Sequence, residues 1–294
     1  MNDSPTVTLT SVAAVRARLA PLRLPGTSIG FVPTMGALHE GHATLIREAL
    51  GGNDHVVVSI FVNPLQFDRK DDLDHYPRTL ESDIAICRDL GVDAVFAPSA
   101  SEMYPEPPEM TVQAGQLGRH LCGASRPGHF EGVATVVLKL LQIVQPDRAY
   151  FGEKDAQQLA VIRRLVADFN LPVEVVGVPT VREPDGLAMS SRNRRLSRDG
   201  RTAALALVRA LTAARQAIEA GERSSAAIIA VATRQISADG TVRVDYLEVV
   251  DPRTMQPVEE VTGPVLVAGA LWVDGVRLID NVTAEPGGSP AVPG

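Results

Sequence analysis

The chain has 294 residues, 45% of them hydrophobic, 21% charged and 4% aromatic, with a formal net charge of −7. That length exceeds a typical single domain and predicts one larger and one smaller domain, with a core built mainly from Val, Leu, Ile and Ala. The acidic balance argues against non-specific nucleic-acid binding, which needs a basic face, but leaves room for a locally positive nucleotide site.

In chain order, the polar start over residues 1–10 lacks a signal-peptide pattern, and no apolar run approaches the length of a membrane span. Cys87 and Cys122 are the only cysteines and form no CxxC, so neither a disulfide framework nor a zinc ribbon is suggested. A reducing cytoplasm is the expected address. Residues 28–33 read as a strand and 41–50 as a helix with Leu45, Ile46 and Ala49 on its apolar side. The run 55–61 is almost continuously apolar, as suits a strand covered on both faces of a parallel sheet. A helix over 79–90, a short strand at 94–96, an apolar helix over 133–144, a strand at 148–151, a helix over 156–169 and a strand at 173–178 follow. Strand–helix alternation of this kind predicts a doubly wound α/β domain.

After about Thr180 the pattern changes. Helices over 202–220 and 226–236 precede strands at 242–250, 265–273 and 277–282, with Asp274-Gly275 as a hairpin turn between the last two. The expectation is a Rossmann-like domain over 1–181, a small α+β domain over 182–284, and a Pro/Gly-rich disordered tail over 285–294.

Chemistry-bearing residues gather at strand ends, where doubly wound sheets bind ligands and helix N-termini offer N–H groups to phosphate. Between the first strand and its helix lies PTMGALHEGH at 33–42, with His39 and His42 three apart and so on one face of an incipient helix. An HExxH zinc site needs its histidines four apart. The remaining alternative is a pair of surface histidines beside a turn. At 61–67, Asn63 and Gln66 can each donate and accept, which suits a hydroxy-acid or an amine; on composition alone an Asn-Pro turn with a solvent-facing Gln is the favoured reading. In 150–158, Gly152 permits close backbone approach, Lys154 is a candidate phosphate cation and Asp155 a candidate ribose acceptor; a solvated helix start is the alternative. The loop 186–193 ends in Ser190-Ser191-Arg192, hydroxyls and a guanidinium that can wrap phosphates, or else a polar linker. Arg126 and His129 in 125–132 serve a site or decorate a loop, and position alone leaves both open. This inventory holds no Ser-His-Asp order, no P-loop and no metal cluster. It suits attack of a carboxylate on the α-phosphate of ATP, which needs charge stabilisation and positioning rather than a strong base.

The segments PTMGALHEGH at 33–42, FVNPLQF at 61–67, YPRT at 76–79, SRPGHFEGVATVVLKL at 125–140, FGEKDAQQLAVIRRLVADF at 151–169 and DGLAMSSRN at 185–193 resemble the pantothenate synthetase family of the HxGH nucleotidyltransferase-like superfamily. The likeness runs from about Gly30 to Asn193 and more loosely through 245–248 to Asp280 and Asn281. It implies an ATP-dependent ligase that condenses pantoate with β-alanine through a pantoyl-adenylate, releasing AMP and pyrophosphate. It also implies a homodimer, Mg²⁺ accompanying ATP, and a C-terminal lid. By motif, Met35, Gly36, Ala37, Leu38, His39, Glu40, Gly41 and His42 line the ATP site, with His42 in the family's proton-donor role and His39 beside the phosphates. Gly152, Glu153, Lys154, Asp155 and the Val181 backbone also hold ATP, as do Met189, Ser190, Ser191 and Arg192. Gln66, Asn63 and Gln158 contact the acid and amine. Ala156 departs from the family's usual aromatic there. The stretch 81–83 is less acidic than in relatives that link it to metal, so no protein metal ligand is assigned. Two alternatives are a nucleotidylyltransferase acting on a phosphorylated alcohol, which would need neither Gln66 with Gln158 nor a C-terminal domain, and a catalytically silent nucleotide sensor.

Overall fold

The computed structural model describes residues 5–236 and 240–287. They divide into two compact units. The first comprises 5–114, 126–153 and 161–181; the second takes 115–125, 154–160 and the described residues from Arg182 onward.

The first unit is built on a six-stranded sheet of β1 (Val7–Leu9), β2 (Ile29–Thr34), β3 (His55–Ile60), β4 (Ala94–Phe96), β5 (Arg148–Gly152) and β6 (Glu174–Val178). The strands stand in the order β1-β4-β3-β2-β5-β6 and every pair is parallel. Parallel pairing needs crossovers, and these are supplied chiefly by helices: α1 (Val12–Leu19), α2 (Glu40–Gly52), α3 (Lys70–Asp74), α4 (Leu80–Leu90), α5 (Ala100–Met103), α7 (His129–Val144) and α8 (Ala156–Asp168), whose first residues belong to the second unit, as does all of α6 (Leu121–Ser125). Covered on both faces, β3 buries all but His55, as its apolar run foretells. Val32, Ile46, Ala49, Val58, Val95 and Tyr150 form one continuous core across strands and helices. The order reverses between β2 and β5, so the segments after those two strands flank the topological switch point, where open α/β sheets bind ligands.

The second unit centres on an antiparallel sheet, β7 (Arg243–Val250), β8 (Val265–Val273) and β9 (Val276–Ala284), against which α9 (Arg198–Glu219) and α10 (Ser225–Thr233) pack through Leu207, Leu211, Ile218 and Ile228. Asp274 and Gly275 carry φ of 52° and 72°, the paired positive values a two-residue hairpin requires. Asp274 also accepts the Ser197 N–H and hydroxyl at the start of α9, and a side chain at Gly200 would collide with that carboxylate.

The sequence reading differs at identifiable points. It leaves out β1 and α1, because a three-residue edge strand in a polar start carries no periodic signal. It starts α7 at 133, whereas the helix begins at His129, immediately after Gly128 in a left-handed conformation. Of the tail expected to be disordered, 288–294 lies outside the described residues, and the Gly287 carbonyl accepts a 3.0 Å bond from Arg223. Among the described residues no helix is long and apolar enough to cross a membrane. Both cysteines are buried and unpaired by disulfide.

Candidate functional site

In the first unit the segment after β2 is held from below. Gly36 and Ala37 have φ of 83° and 52°, a left-handed pair that aims consecutive backbone N–H groups inward. Ala37 N donates to Asp83 Oδ2 at 2.9 Å and Leu38 N to Asp83 Oδ1 at 2.8 Å. Thr79 donates its hydroxyl to the same carboxylate at 3.1 Å, and Asp83 is 1% exposed. A Cβ at Gly36 would lie 2.9 Å from Asp83 Oδ2, so glycine answers both the conformation and the close approach.

Helix α2 then starts with His39 as its N-cap. Gly41 N donates to His39 Nδ1 at 3.1 Å, and His39 N donates to His42 Nδ1 at 3.3 Å, the reciprocal arrangement of a capping box built from two imidazoles. A neutral ring whose Nδ1 accepts an N–H carries its own proton on Nε2. The fold therefore selects the Nε2–H tautomer at both histidines, whose rings stand 4.1 Å apart. The Glu40 side chain pairs instead with Arg47, at 2.5 Å and half exposed.

The segment after β3 meets this loop from the side. Asn63 donates to Gln66 Oε1 and to the Gly132 carbonyl, each at 3.1 Å, and Gln66 Nε2 donates to Met35 Sδ at 3.0 Å. Asn63 and Gln66, read together in the sequence, thus sit together, and Met35 from the segment after β2 joins them. Tyr104, whose phenol is pushed up to about 12 by burial and so stays a donor, bonds Asn63 Oδ1 at 3.0 Å. The Gln66 carbonyl is held by His129 Nδ1 at 2.7 Å and by Arg126 at 3.3 Å, while Arg126 also bonds Asp68 at 2.8 Å. The ambiguity over 125–132 resolves here: Arg126 and His129 brace the backbone of Gln66.

In the second unit, Lys154 donates to the Met189 carbonyl at 3.1 Å, which joins two of the sequence-proposed segments. Burial lowers its ammonium to about 8, with Arg192 pushing the same way and Asp280, Asp155 and Glu183 opposing. Asp155 Oδ1 accepts Gln158 N at 3.0 Å, so this carboxylate caps α8. The segment 182–193 is framed by Asn193, which donates to Glu183 Oε1 and the Ala188 carbonyl, and by Arg201, which pairs with Glu183 and Asp185. Ser190 accepts Arg192 N at 3.2 Å and caps the 3₁₀ turn Ser191–Arg195. Gln157, beside Gln158, is structural: it donates to the Leu117 and His120 carbonyls. In the first unit, Gly152 at the end of β5 faces open space, Glu153 after it is exposed, and Val181, after β6, is half-buried.

Sequence reasoning passes over Asp83, Tyr104, Asp280 and Asn281 as site residues. Asp83 carried one usable signal, an acidic residue four after Thr79 in the first turn of α4. Among the described residues no group of three or more His, Cys, Asp or Glu side chains could hold a metal ion.

The sequence matches the pantoate–β-alanine ligase family model over residues 7–283. It is 53% identical over 277 residues to the pantothenate synthetase of Moorella thermoacetica, covering 94% of this chain and 98% of that one. It is 57% identical over 260 residues to the enzyme of that name from Heliobacterium modesticaldum, covering 88% and 92%. The crystal structure of pantothenate synthetase from Thermus thermophilus superposes with a TM-score of 0.88 at 48% identity, covering 94% and 99%. The pantoate–β-alanine ligase of Francisella tularensis, solved with β,γ ATP and β-alanine, gives 0.78 at 35% identity, covering 94% and 97%.

Proposed function

This chain belongs to the pantoate–β-alanine ligase family, and we propose that it activates pantoate with ATP as pantoyl-adenylate and passes the pantoyl group to β-alanine, releasing AMP and pyrophosphate. The observation that carries the reading is the pair of histidines locked as Nε2–H donors at the start of α2, next to a Met35–Gln66–Asn63 cluster of neutral hydrogen-bonding groups. Neutral donors suit a step in which a carboxylate already nucleophilic displaces pyrophosphate and charge builds on phosphate oxygens. His42 and His39 donate to those oxygens. Lys154, Ser190, Ser191 and Arg192 are assigned to the same charge, and Gln66, Asn63 and Gln158 to the acid and amine. The second step is aminolysis: the β-alanine nitrogen attacks the acyl carbon, the acyl–phosphate bond breaks with AMP as leaving group, and the amine loses its proton.

Mg²⁺ enters with the triphosphate as part of the substrate. Asp83 is engaged by two backbone N–H groups and a hydroxyl. A homodimer in the cytoplasm completes the reading.

The deciding experiment supplies ATP and pantoate without amine and looks for pantoate-dependent pyrophosphate release and a bound acyl-adenylate. Adding β-alanine should then yield pantothenate and AMP in equal amounts. A chain that releases pyrophosphate only with a phosphorylated alcohol, or not at all, overturns the reading.

A further inference from the structure

We propose that Asn281 and Asp280, neighbours on β9, are positioning residues for Lys154: Asn281 fixes its backbone, and the Asp280–Arg182 pair fixes the segment whose Met189 carbonyl receives its ammonium. The inference rests on the assignment of Lys154 to the phosphates. Asn281 Nδ2 donates to the Lys154 carbonyl at 2.9 Å, while Asn281 N donates to Asp280 Oδ1 at 2.8 Å. Asp280 is 4% exposed on a strand otherwise patterned for packing. Its other contacts are a fork from Arg182, at 2.6 Å to Oδ2 and 3.1 Å to Oδ1. Arg182 also donates to the Gly186 carbonyl at 3.1 Å and bridges Ala188, the residue before Met189 in the chain.

A buried carboxylate is costly to keep, and apolar residues would stabilise the sheet as well or better. What an apolar β9 could not do is hold a lysine backbone on one side and a guanidinium-braced loop on the other. The charges facing Lys154 are Asp280 from β9, Arg192 from the 3₁₀ turn, Asp155 from its own segment and Glu183 from the loop. Asp280 is the largest contributor keeping the ammonium protonated against burial. The pair on β9 thereby sets both where this cation sits and how long it stays charged as pH rises.

Two readouts test this. Lys154 is one of only three lysines, with Lys70 and Lys139, so trace acetylation followed by peptide mass spectrometry reads its titration without any turnover. Asp280→Asn should move the Lys154 inflection to lower pH and raise its acetylation several-fold at neutral pH. Asn281→Ala should slow pantoate-dependent pyrophosphate release by about 10–100-fold, the scale for misplacing a reacting group by an ångström or less, with KM for pantoate unchanged. Asn281→Gln, which keeps a donor, should recover part of that rate. Wild-type kinetics and an unshifted Lys154 profile in Asn281→Ala and Asp280→Asn overturn the proposal. Should Asp280→Asn fail to fold, Asn281→Ala and its Gln rescue decide alone. A wild-type chain with no pantoate-dependent reaction removes the functional reading instead, and the acetylation profile still tests the positioning.

Discussion

His42 reaches back through Nδ1 to accept the backbone N–H of His39, 3.3 Å away, so the second histidine of the motif orients itself by capping the helix that the first one starts. One interaction thus holds both the helix start and the orientation of the ring. His42→Ala should cost about 1 kcal/mol through the lost cap. It should slow adenylate formation by about 10²–10³-fold, the scale for losing one donor to developing charge. Use of preformed pantoyl-adenylate with β-alanine should survive, and His42→Gln should regain part of the first step. Rapid-quench measurement of the two half-reactions checks this. Normal adenylate formation with failed aminolysis would move the histidine to the second step.

Asp83 does for the loop what His42 does for the helix. Asp83→Ala leaves the Ala37 and Leu38 N–H groups buried without an acceptor, at about 1–3 kcal/mol for each orphaned donor. The melting temperature should fall, and ATP affinity should weaken more than pantoate affinity. Asp83→Asn keeps one acceptor and should sit between. Raising Mg²⁺ should rescue neither variant; rescue by the ion would show that the carboxylate binds metal and would sink the bracing role.

The histidine pair could be read from the residues at a strand end, and Gln66, Lys154 and Ser190 to Arg192 could be read as candidates through the family resemblance of their segments. The residues that hold them could not. Asp83 is 45 residues from Leu38 and Asn281 is 127 from Lys154, so only the fold makes them neighbours. The parallel core was legible in the almost continuously apolar run of β3, and the hairpin in Asp274-Gly275. β1 was not, since three residues pairing with β4 at a sheet edge need no alternating pattern.

Gly132 marks where α7 comes up against the 3₁₀ turn Pro64–Gln66. A Cβ there would overlap the Leu65 carbonyl and lie 2.6 Å from Gln66 N, both backbone atoms that cannot swing aside. Gly132→Ala should destabilise by about 1–3 kcal/mol, the usual cost of forcing atoms into a packed interior. Because the displaced backbone carries Gln66, KM for pantoate should rise while KM for ATP changes little. Equal losses for both substrates would show the damage to be global.

Lys154 should give the reaction its alkaline limb. The ammonium titrates at about 8, brought down by burial and by Arg192 against the pull of Asp280, Asp155 and Glu183. Phosphate stabilisation needs the cation, so the useful form dominates below that value and disappears above it. The profile of kcat/KM for ATP, which reports the free enzyme, should be level on the acid side and fall as pH rises through about 8. Once ATP is bound, its charge favours the ammonium, so the limb in kcat should lie at higher pH. Lys154→Met keeps much of the stem without the charge; it should lower the plateau by about 10²-fold or more and abolish the limb. A limb that persists at the same pH in Lys154→Met belongs to another group, and the lysine's assignment to the phosphates would fall with it.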